Sequence, residues 1–255
     1  EGSTINYTYE WLLGGSVQSS YTSSTIPSSA TSKGEQWMVR VTPDDGIASG
    51  TAGTASITIS NSEPSVSSVS ITPAFGTYND IVYTCSATVS DADEIPTVTY
   101  EWSLNNTVLG SGSTLDASSA GLMPDDIFTC TVVAIDSNGA TASDSGDMYI
   151  TNRVPVLSNI TITPNTGITT SSELVCASSV SDDDGESLIP TYEWSVGINT
   201  YSGATLTLTP SMVSPGDSIT CSISVEDGYG GSDTDSTSVN VENTPPVIAA
   251  SVSVI

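Results

Sequence analysis

Acidic side chains in this 255-residue sequence gather in short segments whose spacing suits a hard cation. One segment reads SDADE and carries Asp91, Asp93 and Glu94; its counterpart reads SDDDGE and carries Asp182, Asp183, Asp184 and Glu186. A second kind reads DSNG (Asp136, Asn138), EDGYGG (Glu226, Asp227) or PDDG (Asp44, Asp45). Calcium takes oxygens from carboxylates, amides and backbone carbonyls, and Asp-x-Asp spacing puts alternate side chains on one side of a loop. Adding the asparagines at the start of each repeat, the candidate metal ligands are Asn61, Asp91, Asp93, Glu94, Asp136, Asn138, Asn152, Asp182, Asp184, Glu186 and Asp227. The competing reading is turn chemistry, since Asp, Asn and Gly are the residues turns need, and the fixed spacing of an EF-hand loop is absent.

Catalysis has little to work with. The chain has no histidine, which removes Ser-His pairs and the commonest general base. Carboxylates on exposed loops are expected to keep ordinary pKa values and stay solvated. No catalytic residue is assigned, and the segment reads as a non-enzyme.

The four cysteines can do covalent chemistry. Cys85 and Cys130 are 45 residues apart, as are Cys176 and Cys221. Equal spacing in matching segments favours pairing within each; zinc competes, but no CxxC or histidine partner exists. Disulfides place the chain in an oxidising, extracellular compartment.

Composition sets the outer bounds. Twenty-nine acidic residues face three basic ones, Lys33, Arg40 and Arg153, for a net charge of −26. Nucleic acid and anionic lipid are poor partners for such a chain, because both need clustered Lys and Arg. Self-repulsion is relieved by a salty or divalent-rich medium. No apolar run reaches the length of a membrane span. No signal peptide is legible, because residue 1 already lies inside a domain, so the chain reads as mature or partial.

The elements that must position these residues are copies of one unit. Trp11 and Trp102 lie 91 residues apart, as do Cys130 and Cys221, and as do Asn61, Asn152 and Asn243 in turn. NSEPSVSSVSITP and NRVPVLSNITITP are one element written twice. Runs such as IVYTCSATV, FTCTVVAI and ITCSISV alternate with period two, as half-buried strands do, and no helical period of useful length appears. Strands are expected near Val66–Thr72, Ile81–Val89, Thr97–Leu104, Phe128–Ile135 and Ala142–Ile150.

Cysteines flanking a tryptophan, Trp102 in one copy and Trp194 in the next, mark an immunoglobulin-like sandwich, with the tryptophan against a bond between two sheets. Residues 1–60 read as the later strands of a partial domain, 61–151 and 152–242 as complete immunoglobulin-like domains, and 243–255 as the first strand of a further domain. Alternatively, Val247–Ile255 is a donor strand for the incomplete unit of a neighbouring molecule. Aligning GEQWMVRVTPDDG with GDSITCSISVEDG puts Val39 in the position of Cys221. The expected architecture is all-β, an extended string of tandem sandwiches. Asn6, Asn105 and Asn159 stand in N-x-T sequons and are candidate glycan acceptors.

Units of the form NTPP, SITP, Cys, SDADE, TYEW, Cys and DSNG resemble tandem immunoglobulin-like repeats, close to polycystic-kidney-disease-type and cadherin-like domains, of large bacterial and archaeal surface proteins. The resemblance covers essentially the whole chain. It departs in its cysteine pair and in lacking a W-x-F-G-D-G run, Trp102 being followed by SLNN and Trp194 by SVGI. It implies a structural and adhesive role, with adjacent repeats as partners. Many such repeats bind calcium at acidic loops, but the resemblance does not carry calcium binding over to this chain, where that reading rests on the acidic residues themselves. The expected function is a stiff spacer in an extracellular filament, stalk or adhesin. The alternatives are a ligand- or glycan-binding module, for which Tyr9, Tyr100, Tyr192 and Tyr201 are the aromatic candidates, and a spacer in a secreted enzyme.

Overall fold

The structure, a computed structural model, describes residues 4–246. Its regular structure among the described residues is antiparallel strand, apart from a 3-10 turn at Ser28–Ala30 and a four-residue helical turn, α1 (Ala117–Ala120), neither of which the sequence pattern suggested. Asp116 caps that turn by accepting the backbone N–H groups of Ser118 and Ser119, and Gly121 ends it in the left-handed conformation that glycine adopts without steric strain. Internal contacts divide the chain into two compact units. One holds the chain up to Thr72 with Thr84–Leu115 and Phe128–Asp147; the other holds Pro73–Tyr83, Asp116–Ile127 and the chain from Met148.

The first unit begins with strands β1 (Asn6–Leu13), β2 (Ser16–Val17), β3 (Gln36–Asp44) and β4 (Gly53–Thr58), which form one sheet in the order β2-β1-β3-β4. Gly14 and Gly15, both at positive φ, make the tight turn between β1 and β2. It continues through β5 (Ser65–Thr72), β6 (Val82–Ser90), β7 (Thr97–Leu104), β8 (Thr107–Ser111), β9 (Thr114–Asp116), β10 (Ile127–Ile135) and β11 (Thr141–Tyr149). These strands form two sheets, β5-β6-β9 and β11-β10-β7-β8. The disulfide Cys85–Cys130 joins β6 of one sheet to β10 of the other, with a Cα–Cα distance of 6.5 Å. Along β10 buried and less buried residues alternate, with Phe128, Cys130, Val132 and Ala134 inward. Trp102, fully buried, lies directly opposite Cys130 on β7 and packs on Phe128 with ring centroids 5.9 Å apart. Its indole N–H donates to the carbonyl of Gly112, which satisfies the one polar atom a buried tryptophan must place.

The second unit carries β12 (Val156–Thr163), β13 (Glu173–Ser181), β14 (Thr191–Val196), β15 (Asn199–Ser202), β16 (Thr205–Thr207), β17 (Ser218–Glu226) and β18 (Ser232–Asn240). Its sheets, β12-β13-β16 and β15-β14-β17-β18, are joined by Cys176–Cys221. The core includes Leu157, Ile162, Leu174, Trp194, Ile219 and Ile223. Trp194 repeats Trp102 in each respect: fully buried, opposite Cys221, and donating to the carbonyl of Gly203.

Two sheets clasped by a disulfide, with a tryptophan beside the bond, make an immunoglobulin-like sandwich. The described strands match the expected ones to within about a residue at each end, the ordinary uncertainty of strand boundaries. The first four-stranded sheet keeps the same register without cysteines. Val39 faces Trp11 as Cys130 faces Trp102. Trp37 is buried there and packs edge-on against Trp11 and Tyr21, at centroid distances of 6.5 and 6.0 Å. Tyr9, Tyr100 and Tyr192 also share one register position, opposite Val41, Val132 and Ile223, and none of the three is fully exposed. The donor-strand reading of Val247–Ile255 falls outside the described residues.

Candidate functional site

In the first unit the acidic loops meet at the start of a repeat. The loop after β6 supplies Asp91, Asp93 and Glu94, the loop after β10 supplies Asp136, and the segment ahead of β5 supplies Asn61 and Ser62. Asp136 Oδ1 accepts the backbone N–H groups of Asn138 and Ala140 at 2.9 and 2.8 Å, and its Oδ2 accepts the Asn61 side-chain amide at 2.6 Å. Asp93 accepts the backbone N–H of Ser62 at 2.5 Å, while Asp91 Oδ1 accepts that of Asp93 at 2.8 Å. Carboxylate oxygens of Asp91, Glu94 and Asp136 lie within 4.8 Å of one another.

The second unit builds the same arrangement from Asn152, Asp182, Asp184, Glu186 and Asp227. Asp227 accepts the backbone N–H groups of Tyr229 and Gly231 and the Asn152 amide. Asp184 accepts the backbone N–H of Arg153 at 2.5 Å, and Asp182 that of Asp184 at 2.8 Å. Asp182, Asp184 and Glu186 bring carboxylate oxygens within 4.8 Å. Asp93 and Asp227 thus hold backbone and amide donors, Asp91, Glu94, Asp136, Asp182, Asp184 and Glu186 form the two clusters, and Asn138 lends a backbone N–H. Asp44 and Asp45, by contrast, only cap their own turn, through the backbone N–H groups of Gly46, Ile47 and Ala48.

The expectation of solvated loop carboxylates with ordinary pKa values fails at Asp136, Asp227 and Glu186. Asp136 and Asp184 are buried, with 6% and 5% of their surface exposed. The Asn61 amide and the backbone donors around Asp136 hold its carboxyl below the usual range, outweighing the effect of burial. Burial pulls Asp227 upward, but Asn152 and the turn N–H groups prevail and leave it lowered. Glu186 moves the other way. Burial raises it first; its own backbone N–H opposes this, and the charges of Asp182, Asp184 and Asp227 raise it further. The physical reason for the correction is crowding: three chain segments converge, so loop residues become interior.

Asp136 and Asp227 give a pH dependence of defined sign. A carboxyl whose folded pKa is depressed contributes stability above its unfolded value, and that contribution fades as pH falls through the folded value. Urea midpoints are therefore expected to decline on acidification below about pH 4, and the decline should be shallower in Asp136→Asn. An equal slope in that variant would remove Asp136 from the account.

Several buried acceptors in these clusters receive no hydrogen bond. They are Asn61 Oδ1 and Asp91 Oδ2 in the first unit, and Asn152 Oδ1 and Asp182 Oδ2 in the second; both Glu186 carboxylate oxygens are also buried and receive none from any other residue. Buried polar atoms are nearly always paired, so oxygens left over at one place have the chemistry of an incomplete cation shell.

The sequence reading missed the basic residues at these loops. Lys33 Nζ reaches Glu94 Oε1 at 3.0 Å and Ser137 Oγ at 3.3 Å. Arg153 donates through Nε to Asp184 at 2.8 Å, through Nη1 to Asp80 at 3.1 Å, and through Nη2 to Asn79 and the Asp183 carbonyl. Its guanidinium lies 4.5 Å from the Tyr78 ring centroid. Asn79, itself buried, donates to the Asp184 carbonyl at 2.8 Å. The available signal was scarcity: the sequence has only three cationic side chains, and two of them stand at the acidic loops. The third, Arg40, pairs with Glu10 across β1 and β3.

No protein-family model and no curated protein sequence matches the chain. Among solved structures, a tetra-tandem repeat from the extending region of a large adhesion protein is similar at 15% identity and a TM-score of 0.41, over 95% of this chain and 68% of that one. A Ca2+-stabilized adhesin with which an Antarctic bacterium binds ice is similar at 13% identity and a TM-score of 0.35, over 94% of this chain and 65% of that one. The three N-terminal domains of the bacteriophage RB49 outer capsid protein Hoc are similar at 12% identity and a TM-score of 0.31, over 94% of this chain and 89% of that one.

Proposed function

We propose that this chain is a repeat segment of an extracellular surface filament, stalk or adhesin, and that it acts as a disulfide-stapled spacer whose acidic loops bind calcium. The carrying observation is that the same constellation of linker asparagine, two acidic loops and unpartnered buried oxygens occurs twice, each time where one repeat follows another. Disulfides between sheets support an oxidising, extracellular setting, and the scarcity of Lys and Arg leaves few cleavage sites for trypsin-like proteases. In this reading 61–151 and 152–242 are whole domains, 1–60 and 243–255 belong to flanking ones, and the partners are adjacent repeats or further copies. Asn6, Asn105 and Asn159 are exposed and would accept glycans; Asn105 and Asn106 form the positive-φ turn between β7 and β8.

Two measurements test this. Electron microscopy of the native material is expected to show a beaded fibre, and dispersed globular particles would overturn the spacer role. Scanning calorimetry is expected to show the melting midpoint rising by several degrees when calcium replaces EGTA, since a ligand held only by the folded state stabilises it. Identical midpoints would end the calcium reading.

A further inference from the structure

We infer that the two repeat-related acidic clusters are not equivalent: Lys33 serves as the built-in cation of the first, whereas the second, at Asp182, Asp184 and Glu186, takes a divalent cation from solvent. The inference rests on the reading of these loops as cation sites.

Glu94 and Glu186 occupy matching places but meet opposite surroundings. Glu94 Oε1 accepts three donors: the backbone N–H of Ser137 at 2.8 Å, the Ser137 hydroxyl at 2.8 Å and Lys33 Nζ at 3.0 Å. Glu186 receives no hydrogen bond from any other residue, although both of its oxygens are buried. The substitutions responsible are legible in the repeat. Gly228 stands where Ser137 stands, so the hydroxyl is gone. Pro124, followed by Asp125 and Asp126, stands where Lys33 precedes Gly34 and Glu35, so the ammonium is gone and one more acid, Asp125, takes the place of a glycine.

Arg153 does not play the part of Lys33. It bonds Asp184 Oδ1 and then turns toward Asp80, Asn79 and Tyr78. Glu186 Oε1 and Oε2, Asp182 Oδ2 and Asn152 Oδ1 are left without donors from other residues, while Asn152 is held to Asp227. In the first cluster only Asp91 Oδ2 and Asn61 Oδ1 are so placed. The one cation at the second cluster, Arg153, is engaged with Asp184, Asp80 and Asn79 and bonds neither Glu186 nor Asp182. The larger number of free oxygens there therefore favours the second cluster for an ion that wants an oxygen shell with water completing it. An ammonium beside a ligand set opposes a second cation by direct repulsion.

Isothermal titration of the calcium-free chain with calcium chloride separates the outcomes. The expected result is one calcium per chain at the high-affinity site. Glu186→Gln, an isosteric change, is expected to weaken that site at least tenfold and to raise the calcium-free melting midpoint, because it removes an uncompensated charge. Lys33→Met is expected to add a second binding event, with Lys33→Gln giving the same result should the methionine variant misfold. Absence of any binding would overturn this inference together with the calcium reading. Two equal sites in the unaltered chain, an unchanged titration in Glu186→Gln, or no added event in either Lys33 variant would overturn the inference and leave that reading standing.

Discussion

Replacing Cys176 and Cys221 together by alanine is expected to destabilise their sandwich by about 4 kcal/mol. The bond closes a loop with a sequence separation of 45, and in the chain-entropy account that closure removes freedom chiefly from the unfolded state. Both sulfurs are buried in the core, with 2% and 0% exposure, so their loss also leaves unfilled space beside Trp194. At about 4–8 °C per kcal/mol for a domain of this size, the calorimetric midpoint should fall on the order of 20 °C. The first sheet shows that the register survives without the bond, since Val39 holds the cysteine position there. The variant should therefore keep its strand content at low temperature by circular dichroism while melting far earlier. A fall of only a few degrees would mean that the cross-link contributes little beyond packing.

Arg153→Met should lower stability by about 3 kcal/mol when measured in EGTA. Asp184 has no side-chain exposure, whereas Arg153 keeps 20%. Removing the guanidinium strands a buried carboxylate, an event that costs about 3–5 kcal/mol. The backbone N–H of residue 153 still reaches Asp184 Oδ2, which places the expectation at the lower end. The Asp80 contact adds little, because Asp80 is half exposed and exposed pairs contribute on the order of 0–1 kcal/mol. Contact with the Tyr78 ring adds roughly 0.5–1 kcal/mol. A double-mutant cycle with Asp184→Asn isolates the pair. The double variant should recover much of the loss, because neither charge is then left alone. A single-variant loss below about 1 kcal/mol would show that water reaches Asp184 when the arginine is gone. Lys33 has no such effect in prospect, since Lys33 and Glu94 both keep about a quarter of their side chains exposed.

Period-two alternation in FTCTVVAI and ITCSISV determined which residues of β10 and β17 face inward, because a strand turns successive side chains to opposite faces. The 91-residue repeat likewise determined that Val39, Cys130 and Cys221 share one position opposite a tryptophan. These features are local or periodic, so a linear reading reaches them. The condition of the loop acids is neither. Lys33 meets Glu94 across 61 residues and Arg153 meets Asp184 across 31, with no period linking either pair. Asp136 and Asp184 sit in turn-like segments that read as solvent-exposed, yet three segments close around each and bury it.

By itself, then, the sequence determined the strands, their inward faces and the positions the repeats share. Only the tertiary structure decided which carboxylates are saturated, as Glu94 is, and which stand buried without donors, as Glu186 does. The strand pattern follows from short-range geometry, whereas the state of a charge depends on every donor folded to within hydrogen-bonding distance of it.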